Sequence, residues 1–278
     1  MARIIILLLL SRMACAPSLP SLSIYQAINK AGYQRMLTQR IAKCYLSIVA
    51  NIDVEKQKVH LTRSVELFEQ NLELLQGYAP TERIRDQFRY IKILWEQYKL
   101  IYTSDFTIKQ AAVILEYNNT ILEASHDAVE LLEEYATKQK LYEDGTLKPI
   151  QPALASIINH SGRQRMLSQR VALYAMAIIY NIGNTEYNTA CYKKAITEFT
   201  TAHTKLLACP DNTTSILQEY KVIEDNWEQL RTAWSMLIDN YSAKENWQNY
   251  LKQTIEQTDV LLNILDKVVS DYELLKKI

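Results

Sequence analysis

The sequence predicts an all-α protein of two tandem antiparallel four-helix bundles with long helices. Three observations predict it. Residues Ile28–Ala42, INKAGYQRMLTQRIA, return as Ile158–Ala172, INHSGRQRMLSQRVA, with ten of the fifteen positions identical. A match that close within one chain marks two structural units made by duplication. Five glycines and six prolines in 278 residues are too few for the turns of a sheet, whereas Leu, Ile, Ala, Glu, Lys and Gln are plentiful and suit helices. Apolar residues also recur every three or four positions along almost the whole chain, which is helical spacing.

The elements follow in order. Residues 1–23 are expected to be a signal peptide: a basic start at Arg3, the apolar run Ile4–Leu10, and small residues up to Ser23. The run is too short to span a bilayer. Residues 24–142 form the first bundle. Its first helix runs over Ile24–Ala50, with Leu37, Ile41, Tyr45 and Ile48 as one apolar stripe facing the core. The second covers Val54–Gln76, and Gly77 and Pro80 break it because proline cannot extend a helix interior. Thr81 caps the third helix, and Ser104 or Asp105 caps a long fourth one from Phe106 to Lys140, as short polar side chains do. Residues 143–152, EDGTLKPIQP, read as a linker. Residues 153–278 repeat the order, with helices over Ala153–Asn181, Thr185–Leu207, Thr214–Asn240 and Lys244 onward. Trp95 and Trp227 occupy matching WEQ contexts on the third helix of each unit.

Composition excludes several classes of function. With 31 basic against 31 acidic residues, no global field draws the chain to nucleic acid or to an anionic membrane. No later segment is apolar for long enough to cross a membrane. There is no nucleophile elbow, phosphate loop or paired-histidine metal motif. Glu123 and His126 have the spacing used in di-iron bundles, but the second unit has no counterpart. No enzyme, metal or cofactor is therefore expected. Two readings of Cys191 and Cys209 stay open: a disulfide between antiparallel helices, or free thiols.

The duplicated motif holds the candidate site. On a helix, Gly32, Arg35, Met36 and Gln39 share a face, as do Gly162, Arg165, Met166 and Gln169. Arg40 and Arg170 lie one turn further on, and Asn29 and Asn159 precede each glycine. An arginine beside an apolar surface needs an acceptor. Either a ligand supplies it, or a neighbouring helix does, through Glu116 or Glu123 for example. Under the second alternative the motif would only fix helix pairing in a structural or interaction module.

INKAGYQRMLTQRIAKCY and INHSGRQRMLSQRVALYA resemble the signature of the periplasmic sensor domain of type IV pilus methyl-accepting chemotaxis transducers and of nitrate/nitrite-sensing histidine kinases. The resemblance implies a periplasmic, ligand-binding four-helix bundle in each unit. It implies a small anion, nitrate or nitrite, held between paired first helices by Arg35 with Gly32 and Arg165 with Gly162. Two departures stand out. The sequence shows no transmembrane helix or signalling module after the sensor units, so a separate partner, a membrane-bound histidine kinase or chemotaxis transducer, is expected to take the signal. The two copies in one chain imply that the helix pair forms within one molecule.

Overall fold

A computed structural model describes residues 22–103, 105–138, 151–240 and 247–275. Among these, eight helices account for all regular structure: α1 Ile24–Val49, α2 Val54–Tyr78, α3 Glu82–Tyr102, α4 Ile108–Lys138, α5 Pro152–Ile179, α6 Thr185–Leu207, α7 Thr214–Asn240 and α8 Trp247–Leu275. Most of the expected signal peptide and of the 143–152 linker lies outside the described residues.

Local chemistry sets the boundaries. Ser23 caps α1 through a reciprocal box with Gln26, which satisfies two otherwise orphaned donors. Thr81 caps α3 and Asn184 caps α6. Thr107, rather than Asp105, caps α4, accepting from the Gln110 amide at 3.2 Å. Ser104 lies outside the described residues. α2 runs through Gly77 and stops at Tyr78, just ahead of Pro80. Pro152 opens α5, where its missing N–H costs nothing.

The α1 and α5 ends are closed by the same device. The Ile52 amide donates to the Ser47 carbonyl at 2.9 Å, and the Ile182 amide to that of Ala177 at 2.8 Å. Asn51 and Asn181 take the left-handed conformation that this motif needs, and Ile52 and Ile182 are buried beneath it. Gly183 follows at φ +73°. An alanine there meets nothing closer than Leu115 Cδ1 at 3.7 Å, so its cost is backbone strain alone. Gly183→Ala should destabilise by about 1 kcal/mol; an unchanged urea midpoint would contradict this.

Each unit forms a ring of four helices, α1–α2–α3–α4 and α5–α6–α7–α8, and neighbours joined by short loops are antiparallel. In both rings the third-helix tryptophan stacks on a second-helix phenylalanine: Trp95 on Phe68 at 4.1 Å and Trp227 on Phe199 at 3.8 Å between centroids.

The rings meet through α1 and α5, which also pack on their own partners, so a single core runs through both. This changes the character of those two helices. Every residue from Gln34 to Gln39 is buried, and likewise from Gln164 to Gln169. A helix enclosed on all sides has no solvent face, so the single apolar stripe expected for α1 is only part of its buried surface. Cys191 and Cys209 are free. Cys191 lies in the second turn of α6 and Cys209 two residues past its end, roughly 27 Å apart by helical rise, so they cannot pair.

Candidate functional site

α1 and α5 run parallel and in register. Arg35 Nη2 donates to Asn159 Oδ1 at 2.7 Å, and Arg165 Nη2 donates to Asn29 Oδ1 at 2.6 Å. Further along, Arg170 Nη1 donates to Gln39 Oε1 at 3.1 Å, and Ser47 lies against Met176. Each motif arginine is thus held by the asparagine of the other copy. Met36 and Met166 are buried beside them. The glycines make room: a Cβ on Gly32 would lie 3.3 Å from Arg35 Nη2 and 3.7 Å from Arg165 Nη2, and one on Gly162 would lie 3.1 Å from Arg165 Nη2. Two guanidinium groups therefore converge at one crossing, each almost fully buried.

The near-symmetry breaks at the next contact. Arg165 Nη1 donates to Asp266 Oδ1 of α8 at 3.0 Å, and its guanidinium lies 5.1 Å from the centre of the Tyr33 ring. The negative ring face attracts the cation. Arg35 has neither. His126 occupies in α4 the place that Asp266 occupies in α8: Ser125, Ala128 and Val129 are buried around it as Leu265, Val268 and Val269 are buried around Asp266. Arg35 Nη1 meets His126 Nδ1 at 3.2 Å. The repeat position of Tyr33 is Arg163, a like charge. Burial first, then Arg163 and Arg165, push the Arg35 pKa down to about 9, so it remains a cation at neutral pH. Glu133 and Glu130 oppose this shift from beyond hydrogen-bonding distance. Glu130 contacts His126 Nε2 at 3.0 Å, and Glu133 accepts from Asn159 at 2.5 Å.

Burial and the Arg35 charge lower the His126 pKa. The ring is then neutral at pH 7, with Nδ1 accepting from Arg35 and Nε2–H directed at Glu130. Arg35 Nε and Arg165 Nε are buried without partners. Neither Glu116 nor Glu123 contacts the arginines. The acceptors are asparagines of the opposite repeat, with His126 on one side and Asp266 on the other.

A second contrast lies one turn along. Arg40 is 3.9 Å from Asp259 of α8, which also accepts from the fully buried Lys43 at 2.7 Å and faces His60 at 3.4 Å. In the other copy, Arg170 meets Asn119 of α4 at 2.9 Å, Leu173 replaces Lys43, and Cys191 lies 3.8 Å from Arg170. The α8 side is compensated by two aspartates; the α4 side has histidine and asparagine instead. On the α4 side a half-open cleft of about 290 Å³ lies between α4, α5 and α6, with Arg35, His126, Arg163, Arg170, Lys194, Glu123 and Glu198 in its walls. Gln39 and Gln169 are buried at the helix pair, and Gln169 Oε1 has no partner.

Sequence reasoning missed Lys43, Asp259, Asp266, Arg163 and Lys194. Only Lys43 and Arg163 carried a signal, as charged positions where the two copies differ. His126 was noted for its spacing from Glu123; its value lies in standing where the other unit has an acid.

Residues 21–104 and 151–257 each match the family of the N-terminal domain of type IV pili methyl-accepting chemotaxis transducers, PilJ. The chain belongs to this family. The two PilJ segments cover well over half of the chain and carry one copy of the arginine motif each. No curated protein and no solved structure matched. PilJ domains are signalling sensor domains rather than enzymes. Among the described residues of this PilJ tandem, no helix is long and apolar enough to cross a membrane.

Proposed function

We propose that this tandem PilJ protein is an exported sensor module that binds a small anion at the arginine centre between α1 and α5. It would report the bound state to a separate partner, a membrane-bound histidine kinase or chemotaxis transducer. The observation that carries the reading is Arg35: a buried cation flanked by Arg163 and Arg165, with a neutral histidine where its counterpart has Asp266. A buried charge with no counter-ion in contact is costly, and a bound anion removes that cost.

Nitrate and nitrite are the first ligands to test. They are planar and weakly hydrated, and they accept charge-assisted hydrogen bonds. The four heavy atoms of nitrate at about −1.5 kcal/mol each allow roughly −6 kcal/mol, so its dissociation constant is some tens of micromolar at best. Calorimetric titration with nitrate, nitrite and chloride should find one anion per chain, and Arg35→Ala should abolish it. Absence of heat and of thermal shift up to millimolar concentration would refute anion sensing. The reciprocal arginine–asparagine bonds favour a second, compatible role, in which the motif also locks α1 to α5 in register.

A further inference from the structure

The geometry points to the cleft between α4, α5 and α6 as the seat of the anion, and to a small organic dianion, a dicarboxylate of about four carbons, as the class it takes. This deepens the sensor reading above and rests on it.

Charge comes first. Arg35, Arg163, Arg170 and Lys194 line the cleft against two carboxylates, Glu123 and Glu198. Glu198 already faces Arg163 at 3.0 Å and Lys194 at 4.0 Å. The balance is a surplus of positive charge that one dianion would neutralise. The second observation is Arg35 itself: its side chain is almost wholly buried, it lines the cleft, and its Nε has no partner. A buried donor already held in place binds an anion without the cost of ordering it.

Size and wall chemistry select the class. The cleft, at about 290 Å³, is at the small end of pockets that hold organic ligands and far roomier than a four-atom inorganic ion needs. Leu122, Met166 and Ala195 contribute apolar wall, which suits a short methylene spacer. One carboxylate would sit on Arg35 at the buried end. The other would meet Arg163 and Lys194, which are solvent-accessible. The α8 side offers no equivalent seat, because Asp259 and Asp266 already fill the anionic positions. The protein therefore takes one dianion per chain, on the α4 side only.

The test is calorimetric titration of the whole protein with succinate, nitrate and chloride, beside His126→Asp, Arg163→Ala and Lys194→Ala. His126→Asp places a carboxylate where the α8 side has one. It should keep the fold, raise thermal stability without ligand and eliminate succinate binding. Arg163→Ala and Lys194→Ala change accessible side chains and should each weaken succinate about tenfold or more, with melting temperature little changed. Succinate should bind more tightly than nitrate in the unaltered protein, with one site per chain. Nitrate binding lost in Arg35→Ala but unaffected by Arg163→Ala and Lys194→Ala would overturn the cleft proposal and leave anion sensing standing. Succinate binding that survives His126→Asp would also overturn it. No binding of any of the three anions would overturn both readings.

Discussion

Asp259→Asn should destabilise the protein by about 3–5 kcal/mol, the cost of leaving a buried charge without its partner. Lys43 has no solvent exposure, and Asp259 is its counter-ion at 2.7 Å. The repeat itself shows how this corner closes without charge: Leu173 and Asn119 stand where Lys43 and Asp259 stand, and Arg170 still bonds Asn119 at 2.9 Å. Lys43→Leu with Asp259→Asn copies that solution. The double variant should recover most of the loss, because replacing a buried pair by packed neutral groups is often close to neutral. Denaturant titration of both single variants and the double would check it; losses that simply add would show that the two residues do not depend on each other. Acid should expose the same pair. Burial alone would raise the Asp259 pKa, but Lys43, the nearby His60 ring and Arg40 more than reverse this and hold it well below the carboxylate range. For a carboxylate depressed in the folded state, the stabilisation is present above the unfolded pKa of about 3.9 and is lost as pH falls below it. The single variant Asp259→Asn should lack that component of acid sensitivity.

Arg165→Ala should cost about 2–3 kcal/mol, whereas Arg35→Ala, the same substitution in the other copy, should cost less than about 1 kcal/mol. Removing Arg165 leaves Asp266 without its cation, Asn29 Oδ1 without a donor and the Tyr33 ring without its guanidinium. The Asp266 side chain is 31% exposed and can partly rehydrate, which keeps the loss below that of a sealed pair. Removing Arg35 frees Asn159 and His126 of a donor, but it also removes a buried cation repelled by Arg163 and Arg165. Equal losses, measured by chemical denaturation at neutral pH, would mean that Arg35 has a compensating partner as good as Asp266.

The sequence made the helices legible because their signals are local. α6 and α7 have the expected bounds, since Asn184 caps one and the Cys209–Asn212 turn separates it from the next. The start of α4 lies two residues later than expected, because Ser104, Asp105 and Thr107 are all residue types that can cap and Thr107 does so. The two glycines and two arginines of the site are adjacent in the fold as the motif suggested. Their acceptors were not legible. Glu116 and Glu123 were reasonable as acids on a neighbouring helix, yet the parallel pairing of α1 with α5 turns each arginine toward the other repeat's asparagine. Asp266 and His126 lie outside the near-identical stretch, on helices whose register shows only in which residues they bury.

The difference between His126 and Asp266 has a consequence for how such a site can evolve. In an assembly of two identical chains, every substitution is written on both sides of the axis at once. A second carboxylate would close both halves, and its loss would open both. Joining the two copies in one polypeptide removes that constraint: one half is free to be selected for rigidity while the other keeps an uncompensated cation. Specialisation of this kind has a single genetic locus for each half, so variants of one half can be sampled while the other continues to hold the helix pair together.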